Sequence, residues 1–217
     1  MIKMFIVALA VFAVLAGGLA SGHAKAKEDL AMHTHLAGLP KQPIDEKEKA
    51  GMILMREEEK LARDVYLALG QKWGIKSFKN IAESEKTHMA AVKSLLDRYG
   101  LEDPAANQKA GEFKDPKLQT LYGDLVEKGS KSPADALQVG ALIEELDIAD
   151  LQKLIRETDN EDLKLVYGNL LKGSKNHLRA FNRQLQRRGI AYQPRHISQE
   201  EYDSIVKKER KRAPARG

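Results

Sequence analysis

Residues 81–100 read IAESEKTHMAAVKSLLDRYG. Advancing alternately by four and three positions from Ile81 meets Glu85, His88, Val92, Leu95 and Tyr99. That alternation is the spacing of one inward stripe on an α-helix, and it does not fit the two-residue repeat of a strand. Gly100 follows directly, where a helix commonly ends in a left-handed turn. Two members of the stripe, Glu85 and His88, are ionisable. A helix that buries this face therefore needs partners that offset charge as well as bury apolar surface.

Working outward, three more stretches carry the same rhythm. Asp45 and Glu48 have capping-box spacing, and Gly74 closes the helix they start. Its stripe is Met55, Glu59, Ala62, Tyr66, Leu69 and Trp73. Ser77 is the expected cap of the helix quoted above. Ser132 followed by Pro133 predicts a third start, because proline suits the first helical position. The stripe there is Leu137, Ala141, Glu144 and Ile148, with a break and a newly capped turn expected over residues 147–150. Asp159 or Asn160 begins a fourth helix that runs to Arg188 and stops at Gly189. Its stripe is Leu163, Tyr167, Leu170, Ser174, His177, Phe181 and Leu185.

No stretch reads as a strand. Between the second and third helices lie Pro104, Gly111 and Pro116, then Leu118, Leu121, Tyr122 and Leu125, which mark a short helix. A linker of this length can carry the chain from one end of a bundle to the other. Ser198 and Glu201 open a further short helix to about residue 208. The expected fold is all-α: a four-helix bundle over residues 45–206, with a long crossover between helices two and three and a short C-terminal helix.

Bulk properties narrow the function. The chain has 217 residues and no cysteine, which excludes disulfides, thiolate metal sites and a cysteine nucleophile. The net charge of +5 is concentrated in Lys207, Lys208, Arg210, Lys211, Arg212 and Arg216 of the tail, opposed there by Glu209 alone. The body is thus close to neutral, and no nucleic-acid partner is expected. Lys3, an uncharged apolar run and the small residues Ala20, Ser21, Gly22 and Ala24 form the pattern of a secretory signal. Residues 1–24 are expected to be removed, leaving a polar leader over 25–44, no stable membrane span and an exported protein. Residues 207–217 are expected to be a disordered basic tail.

Burying an ionised carboxylate without a partner costs several kcal/mol or forces protonation. Four helices that each place an ionisable group on the inner stripe call for a common explanation. A multivalent cation provides it, because it compensates carboxylates while neutral imidazole binds it directly. Glu85 and His88 are three apart, so both can reach one centre. The competing account pairs these carboxylates and imidazoles with one another across the bundle. A one-residue change of phase would put Glu58 in place of Glu59, or Glu145 in place of Glu144.

The same residues carry a family resemblance. EEEKLARDVY, residues 57–66, resembles the first metal-ligand helix of rubrerythrins and bacterioferritins, which selects Glu59 and Tyr66. Glu85 and His88 resemble their Glu-x-x-His motif. Glu144 and Asp147 resemble the paired acidic positions of the third helix, and His177 the histidine of the fourth. The chain is more closely similar to an uncharacterised prokaryotic ferritin-like family over residues 36–206. That similarity rests on EEEKLARDVY, SEKTHM (84–89), GALIEELDIADL (140–151), GSKNHLRAF (173–181) and the later YQPRHISQEEY.

The resemblance implies a metal set of Glu59, Glu85, His88, Glu144, Asp147 and His177, with Tyr66 beside it. Iron is the implied cofactor, as a di-iron pair in the proteins resembled; manganese or another divalent metal is the alternative. One departure is clear. Ferritin-like di-metal sites use two Glu-x-x-His pairs, yet three residues before His177 stands Ser174. Asp147 or Glu145 is left to replace the missing carboxylate. The implied activity is that of a ferroxidase or peroxide-reducing oxidoreductase. The alternatives are a non-catalytic metal binder, which His33 and His35 of the leader would extend, and a protein-interaction module of the cell envelope. An oligomer is compatible with each.

Overall fold

The computed structural model describes residues 35, 36 and 38–207. The expected signal segment, most of the leader and the tail beyond Lys207 lie outside the described residues. The chain divides into two units, residues 1–39 and 40–217. Within the second, the described residues form six helices and no strand. They are α1 Glu46–Trp73, α2 Lys76–Tyr99, α3 Pro116–Gly129, α4 Pro133–Glu157, α5 Glu161–Gln186 and α6 Gln199–Lys207. None of the described helices is long and apolar enough to cross a membrane.

Local chemistry explains most of these boundaries. At α1 the Glu48 N–H donates to Asp45 Oδ1 (2.8 Å) and the Asp45 N–H donates to Glu48 Oε2 (2.9 Å). These reciprocal bonds satisfy two amides that the helix itself cannot. Gly74 then closes α1 at φ 64°. At α4 the Ser132 hydroxyl accepts from the Asp135 N–H (3.0 Å), with Pro133 in the first turn. The Ser198 hydroxyl likewise accepts from the Glu201 N–H (3.1 Å) at α6.

Three expectations change. Ser77 does not cap α2: Ile75 holds the cap position, and the Ser77 hydroxyl is buried without a hydrogen-bond partner. Only Gly74 and Ile75 separate α1 from α2, so Ser77 already lies inside the helix. The break expected over 147–150 does not occur, and α4 runs unbroken to Glu157. Buried Ile148 and Leu151 continue its inner stripe, and Asp147 is turned into the protein rather than onto the backbone. Asn160 occupies the cap position of α5 but makes no side-chain cap bond there. Its amide donates to the Pro43 carbonyl (3.0 Å) and to Glu48 Oε1 (3.1 Å), tying the start of α5 to the start of α1.

Helices α1 and α2 pack along each other, as do α4 and α5, and the pairs meet through α1–α4 and α2–α5 contacts. Residue contacts give the directions. Glu59 meets His88 while Gly70 abuts Phe78, so α1 and α2 are antiparallel. Glu144 meets His177 while Gly140 abuts Phe181, so α4 and α5 are antiparallel. Tyr66 meets Glu144 while Gly51 abuts Leu154, so α1 and α4 are antiparallel as well. Helices α2 and α4 therefore run the same way. The segment between them must return the chain along the full length of the helices, and α3 lies against α1 and α4 on that path.

The crossover is fastened by the outer face of α1. The Lys60 ammonium, 1% exposed, donates to Asp64 (2.7 Å), to the Lys109 carbonyl (2.7 Å) and to the Glu112 carbonyl (2.9 Å). Asp64 accepts from the Gly111 N–H (2.9 Å), and Glu57 accepts from the Lys114 N–H (2.6 Å). Arg56 forms a two-pronged pair with Asp103 and donates to the Met89 carbonyl. The apolar core includes Tyr66, Phe78 and Phe181, whose ring centroids lie 5.2–5.8 Å apart. A fully buried Phe or Leu contributes about 1.5–3 kcal/mol. That apolar gain, repeated along each stripe, is what makes polar interruptions tolerable.

Candidate metal centre

The polar interruptions of the four stripes meet at one level. Helix α1 brings Glu59, α2 brings Glu85 and His88, α4 brings Glu144 and Asp147, and α5 brings His177. Every one of them is buried, and Glu59, Glu85 and Glu144 have no exposed surface.

Glu85 is the centre of the group. Its Oε2 lies 2.8 Å from His88 Nδ1, and its Oε1 lies 2.9 Å from His177 Nδ1. Both imidazoles thus turn the same nitrogen inward, with the rings stacked at 5.4 Å between centroids. Glu59 Oε2 stands 3.1 Å from His88 Nδ1, and Glu144 Oε2 stands 3.5 Å from His177 Nδ1. The Tyr66 hydroxyl donates to Glu144 Oε1 at 2.6 Å.

These short distances do not amount to a satisfied network. Glu85 Oε1 faces His177 Nδ1 and Glu85 Oε2 faces His88 Nδ1 at ion-pair distance, yet both Glu85 oxygens and His177 Nδ1 are buried without a hydrogen-bond partner. Glu59 Oε1, Glu144 Oε2 and Asp147 Oδ2 are orphaned in the same way. Leaving one buried polar atom unpaired costs about 1–3 kcal/mol, a cost that the ion pairs with His88 and His177 offset only in part. Donor atoms that converge without bonding to one another are what a bound cation requires. One donor atom each from Glu85, His88 and His177 falls within 4.8 Å of the others. Carboxylate and imidazole without sulfur suit iron, manganese or zinc, and do not suit copper(I).

The electrostatics show what holds the group together without a cation. Burial pushes Glu59 up to about 7, against the opposing charge of His88. Burial also raises Glu144, opposed by His177, and raises Asp147 strongly, reinforced by Glu59 and Glu144. Burial alone would raise Glu85 and lower both histidines. The opposite charges win: His177 and then His88 hold Glu85 below the usual carboxylate range. Glu59 and Glu85 raise His88 against its burial, and Glu85 and Glu144 raise His177 to about 10. In the metal-free state, protons on the imidazoles and on some of the carboxylates do the work of a cation.

One alternative fails, and the gap at Ser174 remains. Glu145 does not replace the missing carboxylate. It faces away from the group and accepts from the N–H groups of Arg195, His196 and Ile197 and from the Tyr192 hydroxyl. Its neighbour in sequence points inward because consecutive helical residues diverge by about 100°. Ser174 also contributes no inward donor, since its hydroxyl donates to the Leu170 carbonyl (3.1 Å). Gly173 has a clear purpose beside it: a Cβ there would come within 2.4 Å of His88 Nε2. Glu58, which the stripe admits only as the alternative phase to Glu59, does not replace it, yet its Oε2 is buried without a hydrogen-bond partner. The clamp of Glu57, Lys60 and Asp64 is legible in sequence only as charges on the outer face of EEEKLARDVY.

An all-helical protein with a buried carboxylate–imidazole group at its centre is the class that fold and site define. The chain belongs to the family described as uncharacterized protein domain DUF2202, which matches residues 48–209. It is 61% identical over 175 residues to the uncharacterized protein MJ0754 of Methanocaldococcus jannaschii, covering 81% of this chain and 95% of that one. The crystal structure of hypothetical protein MJ0754 from Methanococcus jannaschii DSM 2661 superposes with a TM-score of 0.77. That match has 62% sequence identity and covers 78% of this chain and 97% of the other.

Proposed function

We propose that this chain is an exported ferritin-like protein that binds iron or a similar metal among its central helices and uses it in ferroxidase or peroxide-reducing chemistry. The observation that carries the reading is the convergence of orphaned donors on Glu85. The ferritin-like assignment draws support from two antiparallel helix pairs joined by an end-to-end crossover. Export draws on the signal pattern of residues 1–24, and the mature chain from its host then begins after Gly22 or Ala24.

In this reading Glu85, His88 and His177 would hold the metal, with Glu59, Glu144 and Asp147 as further candidate ligands. Bound iron supplies one-electron exchange with dioxygen or peroxide. The chain's own residues do the rest. Tyr66 orients Glu144 through its hydroxyl, and Gly173 leaves the space that His88 occupies. Phe78, Phe181 and their neighbours keep water from one side of the group. The imidazoles give up their protons as the cation enters, because only the neutral ring is a ligand.

The test is metal analysis of the mature protein purified with iron in air. About one or more equivalents should bind, falling several-fold in Glu85→Ala. Less than about a tenth of an equivalent, unchanged by Glu85→Ala, would refute the reading. One observation favours a second reading, a metal-sequestering protein without catalysis. Ser174 supplies no inward donor, so α5 brings one ligand where di-metal sites have two. Metal bound without turnover of ferrous iron or peroxide would select it.

A further inference from the structure

Beside the group around Glu85, and continuing from its member Asp147, two further acidic side chains, Glu58 and Asp150, lie on the facing sides of α1 and α4. Asp147 and Asp150 are three apart on α4, so they stand one turn apart on one face. Their relation to α1 follows from register. Tyr66 meets Glu144 at one level, and Gly51 meets Leu154 at another. From the Gly51–Leu154 contact, seven residues along α1 and seven back along antiparallel α4 set Glu58 level with Asp147. Asp150 lies one turn further along.

Burial is graded along this series. Asp150 is half-buried and reaches solvent. Glu58 Oε2 and Asp147 Oδ2 are buried and have no hydrogen-bond partner. Glu59 follows with no exposure, one oxygen on His88 and the other orphaned. After burial, Glu58 is raised most by Asp150 and then by Glu59, while Asp147 is raised by Glu59, Glu144 and Glu58. Lys153 and His196 oppose the rise at Asp150.

A core gains nothing from unpaired carboxylates. Their spacing indicates their use. The only donors among the described residues that converge as a ligand set are those of Glu85, His88 and His177. Glu58, Asp147 and Asp150 are strung out instead, as stepping positions rather than as a second resident site. We propose that Asp150, Glu58 and Asp147 form the route by which a divalent cation passes from solvent to Glu59 and the buried histidines. The proposal rests on the metal-binding reading above and adds to it the path and the charge class of what travels on it.

The test follows Co²⁺ uptake by the metal-free protein in a stopped-flow spectrometer, using the visible bands of the bound ion. The unaltered chain is compared with Glu58→Gln and Asp150→Asn. Both changes keep side-chain shape, and Asp150 is exposed enough that its variant folds even where the buried one does not. The bimolecular loading rate should fall about tenfold in Glu58→Gln and several-fold in Asp150→Asn. The final Co²⁺ per chain and its spectrum should stay the same. Loading within about twofold of the unaltered rate in both variants overturns the route. So does a lower final occupancy or altered spectrum in Glu58→Gln, which would make Glu58 a resident ligand. If the unaltered protein binds no Co²⁺, the metal reading itself fails and the route falls with it.

Discussion

At the scale of single residues, Tyr66 shows how a buried carboxylate is kept in place. Its hydroxyl is the one hydrogen-bond donor to Glu144 among the contacts described, at 2.6 Å and with no exposure on either residue. Burial first, then the Glu144 charge, raises the phenol well above its ordinary range, so it stays a donor. Tyr66→Phe keeps the packing against Phe78 and Phe181 and strips Glu144 Oε1 of its partner. The metal-free protein should lose about 1–3 kcal/mol, read from urea denaturation. Bound metal should recover part of that loss by taking over the freed oxygen. An unchanged midpoint would mean that Glu144 is already protonated and needs no donor. The inward glutamates and histidines were legible in sequence because helix periodicity is strict: each stripe named in advance is buried at the site level. Glu58 was not legible in this way. It lies off the stripe, and only the packing of α4 against α1 encloses its carboxylate.

At the scale of elements, the adjacent Glu144 and Glu145 divide two tasks. Glu144 turns to the central group, whereas Glu145 gathers the chain after α5, accepting from three successive N–H groups and the Tyr192 hydroxyl. Tyr202 of α6 then reaches back to Asn182 of α5 (2.8 Å). Glu145→Gln keeps one acceptor oxygen for the three N–H groups but removes the charge that strengthens those bonds and turns the other oxygen into a donor facing the Tyr192 hydroxyl. Hydrogen exchange should quicken over residues 190–207, with about 1–3 kcal/mol lost. Metal binding should persist, since no candidate ligand moves. Equal quickening throughout the helices would show instead that this segment is part of one cooperative unit. Sequence periodicity could not separate the roles of these two glutamates, because the partner of Glu145 is an irregular segment with no repeat to read. The breakless α4 has a similar cause. Asp147 and Asp150 resemble caps in isolation, and only the helices around them give those side chains another place to point.

At the scale of the whole molecule, protons and metal compete for one set of groups, and the pKa shifts give the sign. His177 is raised from 6.5 to about 10. Its contribution to the metal-free fold is therefore complete below about 6.5 and is lost as pH rises through about 10. Glu59 is raised from 4.5 to about 7, so its contribution is complete below about 4.5 and fades as pH rises through about 7. Glu85 is lowered, and its contribution is present above about 4.5 and lost on further acidification. Together these groups favour the metal-free fold in mildly acid solution and weaken it progressively toward alkaline pH. A cation reverses the trend, because ligation needs imidazoles without protons and ionised carboxylates. The melting temperature of the metal-free protein should therefore fall from about pH 6 to pH 10, while the increment produced by a fixed concentration of Mn²⁺ or Fe²⁺ should grow over the same interval. Differential scanning calorimetry at several pH values, with and without metal, measures both curves. Glu59→Gln should flatten the lower part of the metal-free curve, where that carboxyl titrates, and leave the upper part to His177. If the increment proves independent of pH, the metal does not displace these protons, and the imidazoles and carboxylates are partners of one another.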